Sequence, residues 1–327
     1  MTLDIIVPHY KEPWKTCKYL FDTIATQRGI NFEDIKVIVV NDGDCLLNEY
    51  FTEIYPYKIE YLVKNHGGVS AARNYGLDHS TADYVMFCDI DDGFLSNYGL
   101  HLVFSAMNEG FDLLTSNFIE ESKAANGAPL ILPHKDDMTF IHGKVYKRQF
   151  LDENGLRFDP SLTIHEDGYF NLIVYTAAKH VGKTKKVETP FYMWRWNDDS
   201  VVRANRGDFV LKTYSNLMDA RINTCKEMER RGYDKEFRIS VMMTVLNSYY
   251  DFQKTAYHKT ENQKYLRKAE EAFKRYWTLY KKVFNDCTNA EISEVSVSAR
   301  ANAIANGMLF EQQDLRSFLK HIENDVK

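Results

Sequence analysis

Four short apolar runs in the first ninety residues, alternating with helix-like stretches, constrain this chain more than any other feature. They are Leu3-Asp-Ile-Ile-Val-Pro8, Ile35-Lys-Val-Ile-Val-Val40, Tyr57-Lys-Ile-Glu-Tyr-Leu-Val63 and Tyr84-Val-Met-Phe-Cys88. Helical spacing covers 13–27, with Pro13 at a first-turn position, and 69–79, directly after Gly67-Gly68. Strands alternating with helices require right-handed crossovers and therefore an α/β fold with a mostly parallel sheet. A helix over 96–109 and a strand from Asp112 to Asn117 continue the pattern, and Asn126-Gly127 is a hairpin-turn signal within the polar stretch 120–136. Further helices are expected over 143–154 and from Glu166 to Lys179, then an aromatic-rich strand over Val187–Trp196. From about Gly207 the spacing of Phe209, Leu211, Tyr214, Leu217 and Met218, then of Val241, Val245, Leu246 and Tyr249, predicts an α-helical C-terminal domain. The expected division is 1–205 and 206–327.

Composition narrows the class. At 44% hydrophobic and 27% charged residues, the 327-residue chain is neither collagen-like nor disordered and can build two cores. No run approaches the roughly 18 apolar residues of a membrane helix, and the N-terminus lacks a basic segment ahead of its first apolar run. The five cysteines are scattered without a CxxC, which suits free thiols in a reducing cytoplasm. Charge is uneven: residues 1–202 hold 19 Lys and Arg against 29 Asp and Glu, whereas 203–327 hold 22 against 17. An acidic front half suits metal or nucleotide chemistry, and a basic rear half an anionic partner; ordinary helix surfaces give the same pattern.

Ligands of a doubly wound sheet bind at the carboxyl ends of its strands. The strongest feature at such an end is Asp89-Ile-Asp91-Asp92-Gly93. Three carboxylates within four residues repel one another unless a cation or hydrogen-bond donors are present. Oxygen ligands there suit Mg2+ or Mn2+, which also coordinate substrate phosphates; the alternative is a solvated turn. Asn41-Asp42-Gly43 closes the second strand, where a carboxylate can accept from a base or ribose, although the same residues make a good turn. Gly67-Gly68 can bring backbone N–H groups to an anion. No GxGxxG or GxxxxGK[ST] occurs, so Rossmann dinucleotide and P-loop readings lose their basis. Glu166-Asp167 opens an apolar helix, either as acidic capping or as a general base. His165 belongs to no HExxH, because Tyr169 stands four residues on.

In sequence order, Ile5-Ile-Val-Pro8-His9-Tyr10, Val39-Val-Asn41-Asp42-Gly43, Gly68-Val-Ser-Ala-Ala-Arg73-Asn-Tyr-Gly76, Phe87-Cys-Asp89-Ile-Asp91-Asp92, His142-Gly-Lys-Val-Tyr-Lys-Arg148 and Glu166-Asp167-Gly-Tyr-Phe170 resemble a family 2 glycosyltransferase of the GT-A fold. The resemblance covers residues 4–170, weakens through Tyr192–Arg203 and does not reach 207–327. The chain departs from the family at His9, where Thr or Ser is common, and at Gly43-Asp-Cys-Leu46, where Gly-Ser-Thr-Asp is common.

The resemblance implies an inverting, metal-dependent transfer of a sugar from a nucleotide sugar, first of all a UDP-sugar. It implies that Pro8, His9, Tyr10 and Asp42 hold the nucleoside, braced by Arg73. Asp89 would meet the ribose or the metal, and Asp91 the metal bridging both phosphates. Asp167 would deprotonate the acceptor, with Glu166 as the other candidate base, and Arg195 and Ser200 would contact the diphosphate. Two rival classes are a sugar-1-phosphate nucleotidyltransferase, which wants a Gly-rich basic loop where His9-Tyr-Lys-Glu-Pro13 stands, and a catalytically silent nucleotide-sugar-binding protein. For the acceptor a neutral glycan is the first expectation. The basic residues of 254–282 also suit a phosphate-containing envelope polymer or hydroxylated DNA of the phage type. The aromatics interleaved with them suit helix core more than base stacking. Oligomeric state is not encoded in any motif.

Overall fold

β-branched and aromatic residues buried on both faces make the first strands the centre of a parallel sheet. The computed structural model describes residues 1–43, 47, 49–124, 126–198, 209–305 and 307–324. These divide into two compact units, Met1–Asp198 and Asp199–Lys327; the expected 205/206 boundary lies outside the described residues.

The first unit runs β1 (Leu3–His9), α1 (Trp14–Ala25), β2 (Ile35–Asn41), β3 (Lys58–Val63), α2 (Val69–His79), β4 (Tyr84–Phe87), β5 (Gly93–Phe94) and α3 (Gly99–Glu109). It continues with β6 (Leu113–Lys123), β7 (Pro129–His134), β8 (Lys144–Lys147), α4 (Arg148–Glu153), α5 (Glu166–Val181) and β9 (Thr184–Trp194). The sheet order is β3-β2-β1-β4-β8-β6-β9-β5, with β7 paired to β6. Strands β1, β2, β3, β4, β6 and β9 point one way, and β5, β7 and β8 the other. Leu3, Ile5 and Val7 pack with Leu20, Phe21 and Ile24 of α1 and Leu100 and Val103 of α3. On the opposite face α2 lies so close that a Cβ on Gly76 would sit 2.5 Å from Ile6 Cγ2. Phe87 meets Phe158 and Phe170 edge-on there, and those two rings stack at 3.9 Å.

One expected element is corrected. Residues 143–154 are not a single helix: Lys144–Lys147 form a strand between β4 and β6, and only Arg148–Glu153 is helical. Gly143, at φ +66°, breaks the backbone just before it, and Val145 and Tyr146 are fully buried in the sheet. The Asn126-Gly127 turn does join β6 and β7, with Gly127 at φ +83°.

The second unit contains α6 (Phe209–Lys212), α7 (Tyr214–Arg230), α8 (Asp234–Asp251), α9 (Gln263–Asn285), α10 (Asn289–Ala305) and α11 (Leu315–Asn324). Its core includes Met218, Val241, Val245, Leu246, Phe273, Tyr276 and Phe318. The aromatics of 265–284 are therefore largely core, as helical spacing suggested. No described helix is long and apolar enough to cross a membrane.

Candidate active site

The parallel strands end on one edge of the sheet, and the predicted site residues gather there. Asp42 follows β2 and is almost fully buried. Its Oδ1 accepts from Lys64 Nζ and from the Gly67 N–H (3.0 Å), and its Oδ2 from the Gly68 N–H (2.7 Å). The anion held by the Gly67-Gly68 turn is thus the chain's own Asp42 carboxylate. His9, at the end of β1, is also buried. Its Nε2 lies 2.9 Å from the Glu12 carbonyl and its Nδ1 3.0 Å from the Asn41 amide, so the ring is committed within the protein. Pro8 precedes it in β1. Tyr10 faces outward and stacks on His66 at 4.5 Å, an aromatic surface beside Asp42.

Arg73, one turn into α2, is the hub. Its Nη2 donates to Asp89 Oδ1 (2.8 Å), and its Nη1 donates to Glu166 Oε1 (2.9 Å) and Asp167 Oδ1 (2.6 Å). Burial works against the guanidinium charge, but Asp167, Asp89 and Glu166 together raise its pKa above the ordinary value. Burial also pushes the Asp167 carboxyl well up, Arg73 pulls it back, and the neighbouring acids push it up again. Asp167 Oδ2 accepts a long bond from the Ile141 N–H (3.4 Å). This is the balance a general base needs: an acid destabilised as an anion, yet held by one cation.

The acids after β4 diverge. Asp89 turns to Arg73. Asp91 accepts from Asn197 Nδ2 (2.8 Å), and burial with the nearby Asp89 raises its pKa. Asp92 is wholly buried, accepting from Tyr192 Oη (2.6 Å) and the Arg195 N–H (2.9 Å); burial first, then Asp91 and Asp89, push its carboxyl well up. His142 lies in an aromatic box, stacked on Tyr192 at 4.9 Å and Phe140 at 5.4 Å. Burial pushes its pKa down to about 3, so it is neutral, and its Nδ1 has no hydrogen-bond partner 3.8 Å from Asp92 Oδ2. Ligand atoms of Asp89, Asp92 and His142 lie within 4.8 Å of one another. The structure gathers Asp89, Glu166 and Asp167 on Arg73, which was expected to brace the Asp42 pocket instead, and sets Asp91 to one side. Arg195 lies over the Tyr19 ring, its guanidinium carbon 3.7 Å from the centroid; Ser200 lies outside the described residues. Sequence reasoning gave no site role to His66, Asp92, His142, Tyr192 or Asn197, although Asp92 stood as the third acid of its run and His142 opened one of the family motifs.

Residues 4–167 match the family described as glycosyl transferase family 2. The chain is 26% identical over 272 residues to the glycosyltransferase GlyA of Streptococcus pneumoniae, covering 75% of this chain and 37% of GlyA. It is 27% identical over 239 residues to the minor teichoic acid biosynthesis protein GgaA of Bacillus subtilis, covering 66% of this chain and 52% of GgaA. It therefore spans only part of each relative's length. Among solved structures, S. aureus TarS 1–349 aligns with a TM-score of 0.60 at 18% identity, over 94% of this chain and 89% of that one. The shared architecture is the GT-A fold, a mixed, mostly parallel sheet followed by helices. With the match spanning half its length and the family's acidic motifs gathered at one sheet edge, this chain belongs to glycosyl transferase family 2.

Proposed function

We propose that this chain is an inverting, metal-dependent glycosyltransferase that moves a sugar from a UDP-sugar to a hydroxyl of a cell-envelope polymer. The observation that carries the reading is Arg73, whose buried guanidinium ties Asp89 after β4 to Asp167 at the start of α5. Donor-side and acceptor-side carboxylates thereby share one counter-charge. S. aureus TarS has been crystallised with UDP and with UDP-GlcNAc, and this supports a uridine donor. GgaA is named for minor teichoic acid biosynthesis, and this favours an envelope polymer over DNA as acceptor. Catalysis is assigned to residues 1–205, in a cytoplasmic setting, and acceptor binding or oligomerisation to 206–327.

In this reading Tyr10 and His66 stack the base, while Pro8, His9 and Asp42 shape the floor beneath it. Asp89 and Asp91, or Asp89 with Asp92 and His142, would hold Mn2+ or Mg2+; the fit rests on the oxygen-rich set and on the neutral, unpartnered His142 Nδ1. When bound, such an ion neutralises the diphosphate leaving group as a Lewis acid. Arg195 donates its backbone N–H to Asp92, and its guanidinium, now over the Tyr19 ring, is assigned to the same diphosphate. Asp167 takes the acceptor proton. The acceptor oxygen bonds to the anomeric carbon as that carbon's bond to the diphosphate breaks on the opposite face, and the nucleoside diphosphate leaves. Glu166, on the same Arg73 nitrogen, holds the guanidinium against Asp167. The test is donor turnover by purified protein with Mn2+: it should vanish in excess EDTA and in Asp167→Asn. Full turnover in EDTA contradicts metal dependence, and a dead Glu166→Gln beside an active Asp167→Asn reverses the base assignment.

A further inference from the structure

The two faces of α9 are chemically unlike. One buries Leu266, Ala269, Phe273, Tyr276, Tyr280 and Phe284 in the helical core. The other exposes Lys264, Arg267, Lys268, Arg275, Lys281 and Lys282, and the exposed acid among them is Glu271 alone; Glu270, half-buried, lies 3.9 Å from His321. The basic residues span 18 positions, about 27 Å at the helical rise. Their ion pairs are exposed, Arg275 with Asp219 at 3.2 Å and Lys281 with Glu323 at 3.9 Å, and such pairs are weak. At the start of the helix the Lys264 and Lys212 ammonium groups lie 4.7 and 5.8 Å from the same Tyr265 ring, which concentrates positive charge there. Six cations on one face repel one another, and a ligand bearing regularly spaced anions relieves that repulsion. The aromatic side chains of α9 are mostly turned inward, so bases of a nucleic acid find little to stack on, whereas phosphates need only the cations.

We infer that the exposed face of α9 is a docking surface for a phosphodiester-linked polyol polymer, recognised through its phosphates and carrying no bases. This rests on the envelope-polymer reading and specifies the acceptor as a phosphate-bearing one. The probe is inorganic polyphosphate, titrated by fluorescence anisotropy from low to moderate salt, with neutral dextran and duplex DNA as comparisons. Wild-type protein should bind polyphosphate with a steep salt dependence, as phosphate-neutralising contacts require. The triple variant K264E/K268E/K282E should weaken binding at least tenfold and flatten that dependence. The milder K264Q/K268Q/K282Q should fall between, and serves if the reversal variant misfolds. A control with two charge reversals on the first unit, K15E/K58E, should bind like wild type. With a phosphodiester polymer as acceptor, the triple variant should raise KM at least tenfold at unchanged kcat and unchanged donor hydrolysis. Equal polyphosphate binding by the triple variant, or tighter wild-type binding of dextran or DNA, overturns the inference. Polyphosphate binding that the triple variant loses, in a protein turning over no nucleotide sugar, upholds the docking surface and removes the transferase reading instead.

Discussion

Replacing Arg73 with methionine removes the charge of the hub while keeping much of its volume. Three carboxylates, at 2.6 to 2.9 Å from its nitrogens, lose their common partner. Removing one member of a buried ion pair typically costs about 3–5 kcal/mol, because the remaining charge is left uncompensated. Here part of that cost can be escaped by protonation. Burial already pushes the Asp167 carboxyl well above its usual range, and Arg73 is the strongest influence holding it down. Without Arg73 it rises further, so the native variant keeps a proton that the unfolded chain releases above about pH 4. The native state then binds more protons than the unfolded state, and stability falls as pH rises. The slope for one proton is about 1.4 kcal/mol per pH unit, up to the new native pKa. Wild type shares this slope up to its own raised Asp167 pKa, so the deficit against wild type should open above that pKa, grow as pH rises and level off at about the full 3–5 kcal/mol above the variant's. Urea unfolding can read this by tryptophan fluorescence in a Trp277→Phe background, which leaves Trp14, Trp194 and Trp196, all in the first unit. A deficit under about 1 kcal/mol, or one independent of pH, would refute the claim that Arg73 compensates these carboxylates.

Other expectations follow from the same geometry. Asp167→Asn should lower turnover by roughly 10²-fold or more, measured as nucleotide release at saturating donor, with donor affinity little changed. Because burial raises the Asp167 carboxyl and a base must be ionised, kcat should climb with pH through an apparent pKa above the ordinary carboxylate value; a profile flat down to about pH 4.5 contradicts this. Tyr10→Ala should remove the stacking surface on His66 and raise the donor Kd by roughly fivefold or more by calorimetry, since base stacking is worth about 1–3 kcal/mol. Gly76→Ala places a Cβ 2.5 Å from Ile6 Cγ2 and should destabilise the first unit by roughly 1–3 kcal/mol in the same urea assay.

The sequence was most legible where chemistry is local. The apolar runs became β1 to β4 because burial on both faces of β1, β2 and β4 selects β-branched residues whatever lies beyond, with β3 pairing at the edge, and the acidic turns fell at strand ends because topology puts them there. Asp89, Arg73, Glu166 and Asp167 were legible as separate motifs, but their convergence was not, since residues 73 and 167 meet only once α2 and α5 cover the same face. β8 was misread because Lys144–Lys147 is too short for periodicity to separate strand from helix, and the decisive cue was the left-handed backbone at Gly143. The Gly67-Gly68 turn showed that an anion belonged there without showing that Asp42 would supply it. His142 opened one of the family motifs but its place in the site was not legible, and Tyr192 carried no signal: an aromatic box assembled from β6, β9 and the loop before β8 leaves no spacing in the sequence.

The central claim is tested most directly by combining purified protein, Mn2+, a panel of UDP-, GDP- and TDP-sugars and a phosphodiester-linked polyol polymer, and by following nucleotide release together with the anomeric configuration of the product by NMR. The account predicts release of UDP that the polymer accelerates, with an inverted anomeric centre in the product, that stops with EDTA and falls at least about 10²-fold in Asp167→Asn. Retention of configuration, release that is indifferent to Asp167→Asn, or no turnover of any nucleotide sugar would contradict it.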